Sequence, residues 1–290
     1  RRQRQMCIRD RDRSVNKGAE LNPAVDLLPL LGCGKEPGAF RKLIAEAAGV
    51  REEHLLSTEL FLYPRTKAVQ TGLNGEFIVS PRLDDLQCVF GCLEGFLAAK
   101  PGGSLPVLAV FNNEEVGSST RQGADSTFLT DVLERIAHGC GLDSEAWKAA
   151  VANSFMVSAD NAHAIHPAHP EYADKGEFPV LGGGIVIKYN ANQRYTTDAV
   201  SGAVFQAICQ EAGVPVQRYS NRADLPGGST LGNISTAHLS VPTVDIGLPQ
   251  LAMHSVCETA GAADTDYLVK AMTAYFSRDF HRDRDGGIVF

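Results

Sequence analysis

Two adjacent carboxylates, Glu114 and Glu115, follow the apolar run Val107–Phe111 and are closed off by Gly117. Side chains alternate across a strand, so neighbouring acids at a strand end point in different directions. One can hold a metal while the other takes a proton. That is the division of labour metal-assisted hydrolysis requires. A Glu-Glu pair alone is commonplace on a solvated surface, so its meaning comes from its company. Three more segments carry metal-type side chains where predicted strands end: Ser80–Asp85 with Asp84, Ser158–His163 with Asp160, and Leu251–Ser255 with His254. Alone, an aspartate at a strand-to-helix junction reads as an N-cap.

In open α/β sheets, ligands bind outside the carboxyl ends of strands. Carboxylates with imidazole and no thiolate suit catalytic zinc, manganese or cobalt better than structural zinc. Several carboxylates in one pocket repel unless cations sit between them. Two metals sharing a carboxylate at ~3.5–4 Å would relieve that repulsion and make a hydrolytic centre.

The elements that must position these groups alternate from about Phe77 onward. Phe77–Ser80, Pro106–Phe111, Phe155–Ser158, Ile185–Tyr189 and Val241–Ile246 read as strands. Leu86–Ala99 reads as an amphipathic helix with Leu86, Val89, Phe90, Leu93, Phe96 and Leu97 on one face. Thr197–Ala212 reads as a helix capped by Thr196 or Thr197, and Asp264–Arg278 as the last helix. The class is α/β, with a mostly parallel central sheet flanked by helices. Gly182–Gly184 precedes a strand and not a helix, so it is no phosphate loop. Residues 14–56 lack this rhythm, with a helical hint at Phe40–Ala48. They read as a separate or inserted subdomain (1–56) beside a domain over 57–290.

The bulk numbers agree with a globular chain. Of 290 residues, 44% are hydrophobic and 21% charged. The net charge of −7 argues against nucleic acid as the main partner. No apolar stretch approaches the ~20 residues that cross a bilayer. Arg1–Arg13 is basic, without the apolar segment of a signal peptide, and reads as foreign or artefactual. Seven cysteines without a Cys-x-x-Cys are expected to be buried free thiols in a reducing compartment, hence cytoplasmic.

In this order, Ser80–Asp85, Asn113–Ser118, Asp160–Pro167, Lys188–Tyr195, Gly227–Gly232 and Pro249–Ser255 resemble the aspartyl aminopeptidase family of dinuclear zinc metallopeptidases, from about Ser14 to Phe276. The resemblance implies that Asp84 bridges two zinc ions, with manganese or cobalt as substitutes. Glu115 and His254 would complete one site, and Asp160 would ligate the other metal. Glu114 would be the general base. Lys188 would receive the acidic side chain of an N-terminal Asp or Glu; without the family it reads as an exposed strand lysine. Tyr195, His163 and the Gly228, Ser229, Thr230 loop would line the substrate pocket. Partners would be peptides with an acidic N-terminal residue and further copies of the chain, in a dimer-based homo-oligomer, dodecameric in intact relatives. Residues 1–56 would be the remnant of a dimerisation or lid subdomain.

The chain departs from the family in two places. The family's N-terminal His-Thr-Asp-type segment has no counterpart, since no histidine precedes His54. A second histidine, just before the stretch matching Asp12–Lys17, is replaced by Cys7–Arg11. The expectation is an N-terminally truncated enzyme, weakly active or inactive, with a second metal site defective at Asp84 and Asp160. Competing readings are a same-fold aminopeptidase of neutral or basic preference and a non-catalytic self-assembling scaffold or cargo protein. His166 and His169, each followed by proline, read as loop residues.

Overall fold

The computed structural model describes residues 17–290 apart from 19, 35 and 226. The chain falls into two compact units, Arg1–Leu62 and Tyr63–Phe290. The readings made on residues 1–13 lie outside the described residues. In the first unit, helix α1 (Pro23–Asp26) is capped by Asn22, whose side chain accepts the Ala24 N–H. Helix α2 (Ala39–Ala48) is entered at Gly38 and left at Gly49, both in the left-handed region. It covers the helical stretch expected there.

In the second unit, β1 (Val69–Thr71) and β2 (Phe77–Ser80) form a hairpin leading into α3 (Leu83–Ala98). After α4 (Phe128–Gly139) and α5 (Ser144–Ala152) come β3 (Met156–Ala159), β4 (Ala162–His163) and β5 (Ile185–Tyr189). Next are α6 (Ala199–Glu211), β6 (Val216–Ser220), α7 (Leu231–His238), β7 (Thr243–Gly247), β8 (Pro249–Leu251) and β9 (Glu258–Gly261). Helix α8 (Asp264–Phe276) and the hairpin β10 (His281–Arg282) and β11 (Ile288–Val289) complete it. One sheet has the order β3-β7-β5-β6, the other β1-β2-β9-β8-β4. The expected α/β layering is present. In the first sheet, two parallel pairs meet at an antiparallel β7–β5 junction. The parallel β3–β7 pairing resumes as β4–β8. Asp160 and Asn161 lie in the step between them.

Strand β5 shows why apolar runs become central strands here. Ile185, Val186 and Ile187 are fully buried, and Ile185 and Ile187 share one core with Phe205 and Ile208 of α6 and Leu268 and Met272 of α8. The last strand residue before the solvent boundary is Lys188, and it too is buried.

Several expectations need correction. The apolar stripe assigned to the core face of α3 is largely exposed at Leu86, Phe90, Leu93 and Leu97. The buried face is instead Gln87, Cys88, Gly91, Cys92 and Gly95. The reason is close approach: small residues let α8 lie against α3, and larger side chains are turned outward. Pro106–Phe111 is no strand. Among the described residues it enters no ladder, and an apolar run becomes a strand only where a neighbour takes its backbone groups. The cap of α6 is Asp198, which forms a reciprocal box with Ser201, and not Thr196 or Thr197. Of the cysteines, Cys88, Cys92 and Cys209 are buried free thiols, whereas Cys33, Cys140 and Cys257 are exposed. Cys7 lies outside the described residues. No helix among the described residues is long and apolar enough to cross a membrane.

The α3–α8 seam sets a stability test. A methyl on Gly95 would lie 2.5 Å from Met272 Cβ and 2.9 Å from the Thr273 backbone nitrogen. On Gly91 it would meet chiefly the movable end of Leu268. Gly95→Ala is expected to destabilise by about 1–3 kcal/mol through overpacking, despite the better helix propensity of alanine. Gly91→Ala should cost less. Thermal unfolding of the two variants checks the order, and equal stability of Gly95→Ala and the parent would refute the seam.

Candidate metal centre

Each acidic group of the site is held by backbone that leaves regular structure. Asp84 and Asp85 sit in the first turn of α3 with non-helical φ/ψ, after Arg82 in the left-handed region, and the peptide between them is cis. Glu114 and Glu115 lie on a 3₁₀ turn, Glu114–Val116, between left-handed Asn113 and Gly117. This corrects the strand-end picture: a turn, and not strand alternation, orients the pair. Asp160 follows β3, and its N–H bonds the Ile246 carbonyl at 3.1 Å. A Cβ on Gly247 would lie 2.1 Å from the Asp160 carbonyl oxygen, so only glycine fits beside it. His254 has φ +64, in the turn after β8.

These loops converge. His254 Nε2 lies 3.1 Å from Asp84 Oδ2 and 3.2 Å from Glu115 Oε1. Ligand atoms of Asp84, Glu115 and His254 are all within 4.8 Å of one another. A second group, Asp84, Asp85 and Asp160, meets the same limit, with Asp84 common to both. Asp85 is an addition that sequence reading did not make. As neighbour to a ligand it had only the look of a cap.

The electrostatics follow from this crowding. Burial, then the Asp160 carboxylate, pushes the Asp84 carboxyl up to about 8. Burial and Asp160 also raise Asp85 well above the carboxylate range. Partial desolvation, then Asp160 and Glu115, holds Glu114 above its ordinary value. Burial would lower the Lys188 pKa, but Asp160, Tyr195 and Asp245 keep it raised, so its ammonium persists. Lys188 is 3.6 Å from Asp160 Oδ2 and donates to the Asn161 carbonyl at 2.8 Å. It is therefore not an exposed strand lysine. One ammonium faces five carboxyl groups, so without further positive charge they resist ionising together.

The remaining expected residues are placed as follows. Tyr195 is buried, with its ring 5.6 Å from Lys188 Nζ. His163 is exposed on β4. Gly228 and Ser229 are exposed, whereas Thr230 is buried and donates to Asp245 Oδ1 at 2.7 Å. Asp245, fully buried, also accepts the Thr196 N–H and hydroxyl at 2.6 and 2.7 Å. It thus ties the Tyr195 segment to the Thr230 loop. Sequence reading missed it because an aspartate inside an apolar strand carries no motif. His166 and His169 are together in a loop, with His169 paired to Glu171.

A sequence profile described as aminopeptidase I zinc metalloprotease (M18) matches residues 11–276. The chain is 44% identical over 270 residues to a probable M18 family aminopeptidase 2 of Clostridium acetobutylicum, covering 92% of this chain and 62% of that protein. Among solved structures it resembles Ape4 in a complex of Ape4 and Nbr1, with TM-score 0.82, 33% identity, 92% of this chain and 56% of that one. It also resembles a dodecamer of mApe1 from S. cerevesiae, with TM-score 0.72, 28% identity, 86% of this chain and 59% of that one. The chain belongs to the M18 family of zinc metallopeptidases. It spans about three fifths of the length of the curated relatives it matches. The family resemblance read from the motifs, and the fold it implied, are borne out.

The residues present fit a divalent cation. Among the described residues Asp85 Oδ1 is buried with no hydrogen-bond partner, and the carboxylates around it resist ionisation together. Carboxylates with one imidazole are the donor set of catalytic zinc. Removing His254 as alanine is expected to weaken zinc binding by more than about 100-fold, beyond the 10–100-fold that losing a supporting group costs. His166→Ala should leave it unchanged. Isothermal titration with zinc distinguishes the two, and equal affinities would contradict the assigned centre.

Proposed function

We propose that the chain acts as a metal-dependent aminopeptidase, and that the observation carrying this reading is the pair of carboxylate groups sharing Asp84. In this reading Asp84 is the common ligand, Glu115 and His254 complete one zinc site, and Asp160 with Asp85 serves a second. When bound, cations held there would supply Lewis acidity, with manganese or cobalt able to stand in for zinc. Glu114 is the general base. It takes the proton of the attacking water and returns it to the leaving amine, so the peptide bond breaks with no net proton change. Its raised pKa supports the role, because a carboxylate with higher proton affinity is a stronger base.

Substrates in this reading carry an N-terminal Asp or Glu. Lys188 is a buried cation 3.6 Å from Asp160 and 5.6 Å from the Tyr195 ring, and Tyr195 and His163 would line the pocket that receives the acidic side chain. The Gly228–Thr230 loop, held through Thr230 and Asp245, would close the pocket. A substrate carboxylate would share the Lys188 ammonium with Asp160, which argues for a site that needs its cations bound before the acidic residue enters. Because mApe1 is described as a dodecamer, self-assembly into a closed homo-oligomer is part of the proposal.

The test is release of Asp, Glu and Leu from fluorogenic amides by the zinc-, manganese- or cobalt-loaded chain. Glu114→Gln is expected to lower kcat by about 10²–10⁴-fold with metal content unchanged. Lys188→Ala should reduce turnover of acidic substrates selectively. No detectable release by the parent, or equal loss on Leu and Asp amides, would overturn the activity and the specificity respectively.

A further inference from the structure

Glu258 stands at the start of β9 and is 2% exposed. A buried carboxylate needs strong partners. Its two oxygens accept two backbone N–H groups: that of Asp84 at 3.0 Å on Oε2, and that of His254 at 2.8 Å on Oε1. Both donors belong to residues of the metal centre. They are 170 positions apart in the chain and lie on different loops, and one side chain spans them. Their side chains meet on the other side, His254 Nε2 to Asp84 Oδ2, at 3.1 Å.

The local backbone needs such a hold. His254 is a non-glycine residue at φ +64, and Asp84 breaks the helical φ/ψ of α3. A left-handed backbone at a non-glycine residue, as at His254, persists where the surroundings over-determine it. The strand places the clamp: Glu258 pairs with Ser80 across the β2–β9 ladder, just before the chain turns into Asp84. Only an acceptor at each end serves both donors. A glutamine would turn an NH₂ group towards one of them.

We propose that Glu258 is a positioning residue that fixes the distance between Asp84 and His254 through their main-chain amides, and so sets the affinity and geometry of the cation between them. The proposal rests on the metal-centre reading above. A matched control lies in the same domain. Asp264 is likewise fully buried and likewise accepts two backbone N–H groups, from Gly182 at 2.8 Å and Gly184 at 3.0 Å, but it touches no residue of the centre.

The experiment compares Glu258→Gln, Asp264→Asn and His254→Ala in the full chain. The readouts are zinc affinity by competition with a chromophoric chelator, the cobalt(II) absorption spectrum, and thermal unfolding without metal. Glu258→Gln is expected to weaken zinc binding about 10–100-fold and to change the cobalt spectrum. Asp264→Asn should lower the unfolding temperature with zinc affinity and spectrum unchanged. Parent-like zinc affinity and spectrum in Glu258→Gln, with only a lower unfolding temperature, would overturn the proposal. If Glu258→Gln does not fold, Glu258→Asp, which keeps the charge but shortens the reach, takes its place in the same comparison. Unchanged zinc affinity in His254→Ala would sink the metal-centre reading itself. Loss there with none in Glu258→Gln would sink this proposal alone.

Discussion

Mutual repulsion of carboxylates is the constraint around which the second unit is organised. Asp84, Asp85 and Asp160 bring oxygens within 4.8 Å of one another, and Glu115 joins Asp84 and His254 under the same limit. In the absence of cations, burial and neighbouring charge raise the proton affinity of Asp84, Asp85 and Glu114. A fold that gathers these groups on turns from four separate segments gives up stability at that point. The arrangement makes physical sense once positive charge occupies it.

The scaffold shows how that cost is contained. Lys188 reaches from the end of a fully buried strand to Asp160 and supplies one fixed positive charge. A buried amide cluster adjoins Asp160: Asn161 donates to Gln87 Oε1 and Gln250 Oε1, each at 3.0 Å, and accepts from the Cys88 thiol. Asn161 is held in one arrangement by these contacts, its amide nitrogen donating twice and its oxygen accepting once, and a side chain bound on every side fixes the geometry beside it. Gly91 and Gly95 allow α8 to lie close to α3, whose first turn carries Asp84. Packing, polar network and charged site are therefore one chain of dependence.

Much of this was legible in the residues. Motif-bearing segments located Asp84, Glu114, Glu115, Asp160 and His254, and the structure gathers Asp84, Glu115, Asp160 and His254 into two groups that share Asp84, with Glu114 next to Glu115 in the chain. Strands β2 and β5 and helix α2 matched their periodicity because each is defined by local pattern. What failed depended on tertiary context. The apolar residues of α3 could not show that glycines, and not leucines, face α8. The run Pro106–Phe111 looked like a strand because sequence does not state whether a partner strand is beside it. Asp245, Glu258 and Asn161 were silent for a related reason. A single polar residue beside a strand has no spacing to read, and its importance comes from what it binds across more than 45 positions of chain.

The central claim is that cations belong between these carboxylates, with Asp84 common to both. Anomalous diffraction at the zinc edge from crystals of the zinc-loaded chain tests it directly. The account predicts a peak bound by Asp84, Glu115 and His254 at the ~2.0–2.2 Å typical of zinc with oxygen and nitrogen ligands. It predicts a second peak on the Asp84, Asp85 and Asp160 side as zinc is raised. Zinc found only at other residues, with the carboxylate cluster empty, would contradict it.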